Sequence, residues 1–185
     1  MKQRIFAAAI AALSIIAIAL TSMAWAGTGS LGPDAVTTWN GLGMRSGNAT
    51  LDGFADSTDT NSVAPLGIWV VVACVVALLA AGAMATRMLS GVALTLRWVA
   101  GVFALVAAVV PIIVLIRPIT YLTMFDYLSD DDAARYSDLL REHVLQKPTL
   151  IALTAVLVLA SGACFAAALT APRRASTYPP EPVTT

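Results

Sequence analysis

The chain has few of the side chains that carry out chemistry. Its 185 residues include one histidine and two cysteines, and 12% are charged, against roughly 25% in soluble domains. His143 has no cysteine, serine or second histidine at a useful spacing. The net charge of zero gives no reason to expect nucleic acid as a partner. These shortages predict a protein that is not an enzyme and has no catalytic, cofactor-binding or metal site.

Spacing disfavours the two remaining candidates, a calcium site and a disulfide. Asp52, Asp56 and Asp59 lack the alternating ligands and the glycine of an EF-hand loop. At 1.5 Å rise per residue, Cys74 and Cys164 fall at depths that differ by roughly 10 Å along their helices. The α-carbons of a disulfide lie within about 7 Å of each other. We therefore expect two unpaired cysteines that fill apolar space.

Long apolar runs dominate the sequence, and 58% of its residues are hydrophobic. Four runs without Asp, Glu, Lys, Arg or His are near the roughly 20 residues that cross a bilayer: Ile5–Ala24, Leu66–Thr86, Trp98–Ile116 and Leu150–Thr170. Too little polar chain remains to enclose them in a soluble fold. The sequence predicts an all-α membrane protein, a four-transmembrane-helix bundle in one domain over residues 1–171, followed by a Pro-rich tail at 172–185. Small residues at four-residue spacing favour close packing of these helices.

The basic residues predict the orientation of the bundle, because Lys and Arg concentrate on the cytoplasmic side. Four crossings place outer loops at 27–65 and 117–148, which hold ten of the eleven acidic residues. We expect a multi-pass protein of the bacterial inner (plasma) membrane with both termini in the cytoplasm. The basic residues next to the inner ends of the spans are Lys2, Arg4, Arg87, Arg97, Arg173 and Arg174.

The first apolar run has two interpretations. A basic start, an apolar stretch and Ala24-Trp25-Ala26 satisfy the pattern of a cleavable signal peptide. The run of about 20 residues is longer than the 7–15 usual for a signal core. Its alanines also repeat at helix-packing spacing. We therefore predict four spans with residues 1–26 retained, and cleavage after Ala26 is the alternative.

The two outer loops hold the candidate contacts with other proteins. The first is rich in Gly, Ser, Thr and Asp, which predicts irregular structure in which Trp39 packs on its own bundle or on a partner. The second predicts an amphipathic helix over Asp130–Gln146, with Ser129 as its N-cap and Pro148 after it. This helix is acidic, which disfavours lipid headgroups as its contact. Its own loops or a partner protein remain. The predicted partner-binding residues are Tyr136, Leu139, Leu140, Val144 and Trp39.

The layout resembles two groups of membrane proteins. Four spans and a long first outer loop with Trp39-Asn40-Gly41-Leu42-Gly43 are similar to the claudin layout. Claudins have a second Trp where Gly43 stands, and a cysteine pair that is missing here, so the similarity is one of layout. The alanine-rich helices and the acidic outer helix also resemble small four-helix proteins of actinobacterial membranes. Some of these are accessory subunits of mycobacterial Mce lipid importers or of respiratory supercomplexes.

The resemblance implies a non-catalytic accessory or stabilising subunit of a larger inner-membrane complex, with an Mce-type lipid importer as the leading candidate. Its partners would be other integral membrane subunits and membrane lipids. An accessory subunit of a respiratory supercomplex and a small oligomeric transporter or channel are the alternatives. A channel would need oligomerisation, because the spans supply no polar path. A membrane enzyme would need its reactive groups among the outer acidic residues.

Overall fold

A computed structural model of the chain describes residues 2–27, 37–47, 63–86, 90–123 and 129–171. The predictions that concern Asp52, Asp56, Asp59 and the tail at 172–185 lie outside these residues. In chain order, the elements are α1 (Lys2–Ser22), β1 (Ala24–Gly27), β2 (Thr37–Asn40), β3 (Arg45–Gly47), α2 (Gly67–Thr86), α3 (Ser90–Ile116), a 3-10 helix (Pro118–Thr120), α4 (Asp130–His143) and α5 (Lys147–Leu169).

The four predicted spans are confirmed as helices. α1, α2, α3 and α5 are each long and apolar enough to cross a membrane, so the chain is a multi-pass membrane protein. The predicted start of the third span at Trp98 is wrong. Its apolar helix already begins at Val92, because leucine, threonine and valine continue the helix on the far side of Arg97. One arginine therefore lies inside a spanning helix.

The spans form a closed ring of four helices. α1 packs against α2 and α5, and α3 packs against the same two helices. Neighbouring helices in this ring run antiparallel: Thr21 near the end of α1 meets Gly67 at the start of α2, and Ser161 of α5 bonds to Gly101 of α3. The buried stripe of α2 consists mainly of small residues, which allow helix backbones to approach closely in lipid. These residues are Gly67, Val70, Ala73, Cys74, Ala77, Ala80, Ala81 and Met84. The cysteines are unpaired and buried, as predicted.

The all-α prediction needs a correction at one end of the ring. β1, β2 and β3 form a three-stranded antiparallel sheet in that order. We call the end with the sheet the outer end. The expectation of irregular structure in the first outer loop is therefore wrong for its described part. Thr37 and Trp39 point inward and Thr38 and Asn40 are half-buried, an alternation typical of a strand. Four residues are too few for this period to stand out in the sequence.

The turn between β2 and β3 depends on the residues after Trp39. The side-chain oxygen Oδ1 of Asn40 accepts hydrogen bonds from the backbone N–H groups of Leu42, at 3.0 Å, and Met44, at 2.9 Å. Gly43 has a φ of 80°, in the left-handed region that favours glycine. The Asn-Gly-Leu-Gly segment thus reverses the chain and aligns β3 with β2.

The predicted outer helix is confirmed as α4, with a different end. The hydroxyl of Ser129 accepts a hydrogen bond from the Asp132 N–H at 3.4 Å, so Ser129 is the N-cap that the sequence predicts. α4 ends at His143 rather than Gln146. The reason lies in the sheet: Leu145 pairs with Ala26, which pulls the chain out of the helix. α5 then begins at Lys147, with a proline in its first turn.

Candidate functional site

The outer cap, which comprises the sheet, the 3-10 helix and α4, is built around Trp25. This indole is fully buried, lies 5.7 Å from the ring of Tyr121, and donates from Nε1 to the Leu20 carbonyl at 3.2 Å. Gly41 packs against the indole so closely that an added Cβ would lie 2.5 Å from a ring carbon. Only glycine fits there, so the position of Trp25 determines the path of the turn after Trp39.

Tyr121 ties the second outer connection to the first. Its hydroxyl donates to the Asn40 carbonyl at 2.7 Å, and its own carbonyl accepts from the Ala64 N–H at 2.8 Å. The side chain is fully buried, and this burial raises the pKa of the Tyr121 phenol well above its usual range. The phenol therefore stays protonated and keeps donating at any physiological pH.

The end of the first span is part of the cap. Ala24-Trp25-Ala26 lies in β1, where the Trp25 carbonyl accepts from the Gln146 N–H at 2.9 Å. The Gly27 N–H donates to the Val144 carbonyl at 2.8 Å. Cleavage after Ala26 would remove α1 and three residues of this strand from the folded structure. The retention of residues 1–26 stays a prediction, and these contacts are the physical reason to expect it.

Trp39 lies on the chain's own core. It is 8% exposed and belongs to the same apolar cluster as Trp25, Tyr121 and Leu140. Among the described residues no acceptor reaches its indole N–H. Of the two interpretations that the sequence left open, packing on its own bundle is the one observed. The contact of Trp39 with a partner protein stays a prediction.

The predicted apolar stripe of α4 is divided between the interior and the surface. Leu140 is 7% exposed and Val144 is half-buried, whereas Tyr136 is 45% and Leu139 is 55% exposed. The helix contacts the 3-10 helix, and the edge of the stripe with Tyr136 and Leu139 is exposed. The structure thus brings two of the four predicted residues onto the cap and leaves Tyr136 and Leu139 as an exposed pair.

Arg141 was not singled out from the sequence, yet it holds α4 against the bundle. Its Nε donates to the Leu115 carbonyl at 2.9 Å and its Nη2 to the Ile116 carbonyl at 2.8 Å. Its third nitrogen pairs with Asp138 at 3.0 Å. The last carbonyls of a helix have no partner within the helix and carry partial negative charge. Arg141 therefore caps α3 and attaches α4, with its exposed pair, to the end of that helix.

Arg97 performs a similar role at the other end of the ring. It is 5% exposed, and its Nη1 donates to the Ala167 carbonyl, near the end of α5, at 3.1 Å. Among the described residues, its Nε has no acceptor. The sequence prediction missed this residue because it placed Arg97 outside the third span. The signal that could have found it is the apolar segment Val92–Leu96 on its far side.

A groove lies between α1 and α2 on the outside of the ring, at the inner end. We call it the inner groove; it has a volume of about 620 Å³. Its walls are alanine and glycine apart from one leucine and one arginine. The lining residues are Arg4, Ala7, Ala8, Ala11, Leu78, Ala81, Gly82 and Ala85. The described lining is thus apolar along its length, with the cation of Arg4 at its mouth.

The polar groups inside the ring bond to helix backbones. Ser14 donates to Ile10 and Thr21 to Ala17, and Ser161 donates across to Gly101, each at 2.8 Å. Within the described ranges no three His, Cys, Asp or Glu side chains form a group that could hold a metal ion. No family model, curated protein or solved structure matches this chain.

Proposed function

We propose that the chain is a non-catalytic accessory subunit of a larger inner-membrane complex and docks another integral membrane subunit through α4. The observation that carries the proposal is the exposed pair of Tyr136 and Leu139 on a helix that is attached to the bundle by neighbouring residues. Arg141 ties that helix to the end of α3, and Leu140 anchors it in the core. A fixed apolar pair on a polar surface is typical of the anchors of protein interfaces.

The surroundings of Leu139 favour a protein over lipid as the occupant. Exposed residues of both charges, Asp132, Arg135 and Glu142, lie on the same side of α4. A helix that rests on lipid headgroups usually presents many Lys and Arg. Mixed charge around an apolar centre instead resembles the polar rim of a protein interface.

The resemblance to actinobacterial accessory proteins makes an Mce-type lipid importer the first complex to test, with a respiratory supercomplex as the alternative. A small oligomeric transporter or channel has less support. The hydroxyl groups inside the ring donate to backbone carbonyls, so they do not line a polar path.

Neighbouring leucines provide the test. Leu139→Asp should keep the protein in the membrane at normal abundance and weaken co-purification of its partner. An exposed leucine that becomes buried on docking contributes roughly 1.5–3 kcal/mol, equivalent to about ten- to hundredfold in affinity. Leu140→Asp should instead reduce abundance, because it places a carboxylate in the core of the cap. Affinity purification followed by quantitative mass spectrometry measures both effects.

Ala134→Asp is the matched control. It adds the same carboxylate to an exposed position of α4 on the other flank of the helix, about 140° from Leu139 at 100° per residue. This variant should retain the partners. If Leu139→Asp retains them as well, docking through α4 is refuted. If Leu139→Asp lowers abundance as much as Leu140→Asp does, the exposed pair serves the fold of this chain.

We also propose that the outer cap faces away from the cytoplasm and that both termini lie inside. The support is the charge distribution, with ten of eleven acidic residues in the outer loops. In a variant without Cys74 and Cys164, a cysteine at Ser57 should react with a membrane-impermeant thiol reagent in intact cells. A cysteine at Ser176 should react only after lysis. Reaction of both in intact cells would contradict this orientation.

A further inference from the structure

We propose that the inner groove binds one anionic phospholipid of the cytoplasmic leaflet. Its acyl chain lies between α1 and α2, and its phosphate contacts Arg4. The leaflet follows from the proposed orientation, whereas the fit of the lipid follows from the groove itself. The shape, the length and the charge of the groove each favour such a lipid.

The groove exists because its walls are small. A Cβ added to Gly82 would meet nothing within 4 Å, and the alanines beside it end at Cβ. Among the described residues that line the groove, Arg4 alone offers a polar side chain. In a bilayer such an apolar space is filled by acyl chains or by an apolar helix, since water would find no partners there.

The length of the groove favours an acyl chain over a partner helix. From Arg4 to Ala11, α1 rises seven residues, about 10 Å, and Leu78 to Ala85 matches this along α2. One leaflet of the hydrocarbon core is about 15 Å thick, half of roughly 30 Å. A transmembrane partner would need a groove across both leaflets. Further along α1, in the outer leaflet, the exposed side chain of Ile15 stands in place of the alanines that line the groove.

Charge supplies the headgroup contact. Arg4 is exposed, and no carboxylate pairs with it among the described residues. The sequence places a single acidic residue, Glu181, on that side of the membrane. A guanidinium binds phosphate oxygens through paired N–H donors, and the cytoplasmic leaflet carries anionic lipid. The mouth of the groove therefore favours a phospholipid whose headgroup has a net negative charge.

Native mass spectrometry of the full-length protein tests the proposal, with phosphatidylglycerol or phosphatidylcholine added to the detergent solution. The wild type should retain one phosphatidylglycerol more tightly than phosphatidylcholine. Arg4→Gln should reduce this preference by about fivefold, the effect of one basic residue near an anionic surface. Gly82→Leu should remove tight binding of both lipids, because the side chain occupies the groove.

Two control variants isolate the site. Gly162→Leu makes the same change at another helical glycine with open space around it, away from the groove, and should bind as the wild type does. Arg173→Gln removes a basic residue from the same side of the membrane and should keep the preference for phosphatidylglycerol. Helical content by circular dichroism shows whether each variant is folded.

The proposal is overturned if Gly82→Leu still binds phosphatidylglycerol tightly, or if Arg4→Gln and Arg173→Gln reduce the preference equally. If Gly82→Leu keeps the lipid and loses a co-purifying membrane protein, a partner helix occupies the groove. If Gly82→Leu does not fold, the comparison of Arg4→Gln with Arg173→Gln still decides whether Arg4 holds the headgroup.

Discussion

The two ends of the molecule are stabilised in different ways. The outer end buries large side chains in one cluster with the sheet and α4, including Trp25, Trp39, Tyr121, Leu122 and Leu140. The inner end buries mainly alanine, with Ile10 and Met84 as its largest apolar members. One end thus has a core like that of a soluble domain, and the other depends on close contact between helix backbones.

The difference follows from the solvent around each end. The outer cap projects beyond the spans, where burial of apolar area removes it from water and stabilises the fold in proportion to that area. Within the bilayer, lipid tails are as apolar as leucine, so a large buried side chain gains little over a large exposed one. There, small residues are useful because they bring backbones together, and large ones such as Leu79 and Phe103 face lipid.

The largest expected effect separates two tryptophans. Trp25→Ala should lower the free energy of unfolding by roughly 3–5 kcal/mol, because it empties the centre of the outer cap. Trp69→Ala, at a side chain that is 66% exposed, should change it by less than about 0.5 kcal/mol. Unfolding of the purified proteins in detergent, followed by tryptophan fluorescence, measures both. Similar losses in the two variants would contradict the view that the cap is a packed core.

Arg141 and Arg97, which each donate to carbonyls at the end of a helix, should differ by a smaller amount in their contribution to the free energy of unfolding. Arg141→Met removes two hydrogen bonds from a charged group to carbonyls of α3 and should cost roughly 1.5–3 kcal/mol. Arg97→Met should cost less than about 1 kcal/mol, since it also removes a buried cation whose Nε lacks an acceptor among the described residues. Thermal unfolding in detergent compares them. A larger loss for Arg97→Met would show that a counter-charge stabilises Arg97.

The smallest effect concerns the hydroxyl of Tyr121. Tyr121→Phe should cost about 1 kcal/mol at neutral pH, through loss of the bond to the Asn40 carbonyl. Because burial raises the pKa of this phenol in the folded state, the unfolded chain loses the proton first as pH rises above about 10. The wild type should therefore lose stability above that pH and approach the variant. A difference between the two proteins that stays constant to pH 11 would contradict this linkage.

The sequence predicted local features of α4 better than its environment. Ser129 as N-cap and the apolar stripe depend on spacing within about one turn of helix, and both are observed. Which half of the stripe is buried depends on packing against the 3-10 helix, and this contact is not visible in the spacing of residues within one turn. Leu139 and Leu140 are therefore equivalent in the sequence and opposite in the structure.

The sheet and the buried arginine were not predicted from the sequence, for two different reasons. β1, β2 and β3 have four residues or fewer, so their alternating pattern is too short to recognise in the sequence. Arg97 was misplaced because a charge was taken as the end of a span. A long side chain can instead reach the free carbonyls of a neighbouring helix, here that of Ala167.

The sequence by itself determined that the chain has four apolar helices long enough to span a membrane, roughly where each one lies, and which loop carries an amphipathic helix. These features depend on apolar runs and on spacing along the chain, both of which are local. Only the tertiary structure decided that Trp39 lies in the core, that Leu139 stays exposed and that Arg97 lies inside the ring. Each of these outcomes depends on contacts between segments far apart in the sequence. The hydrophobicity of a side chain does not by itself determine which segment it packs against.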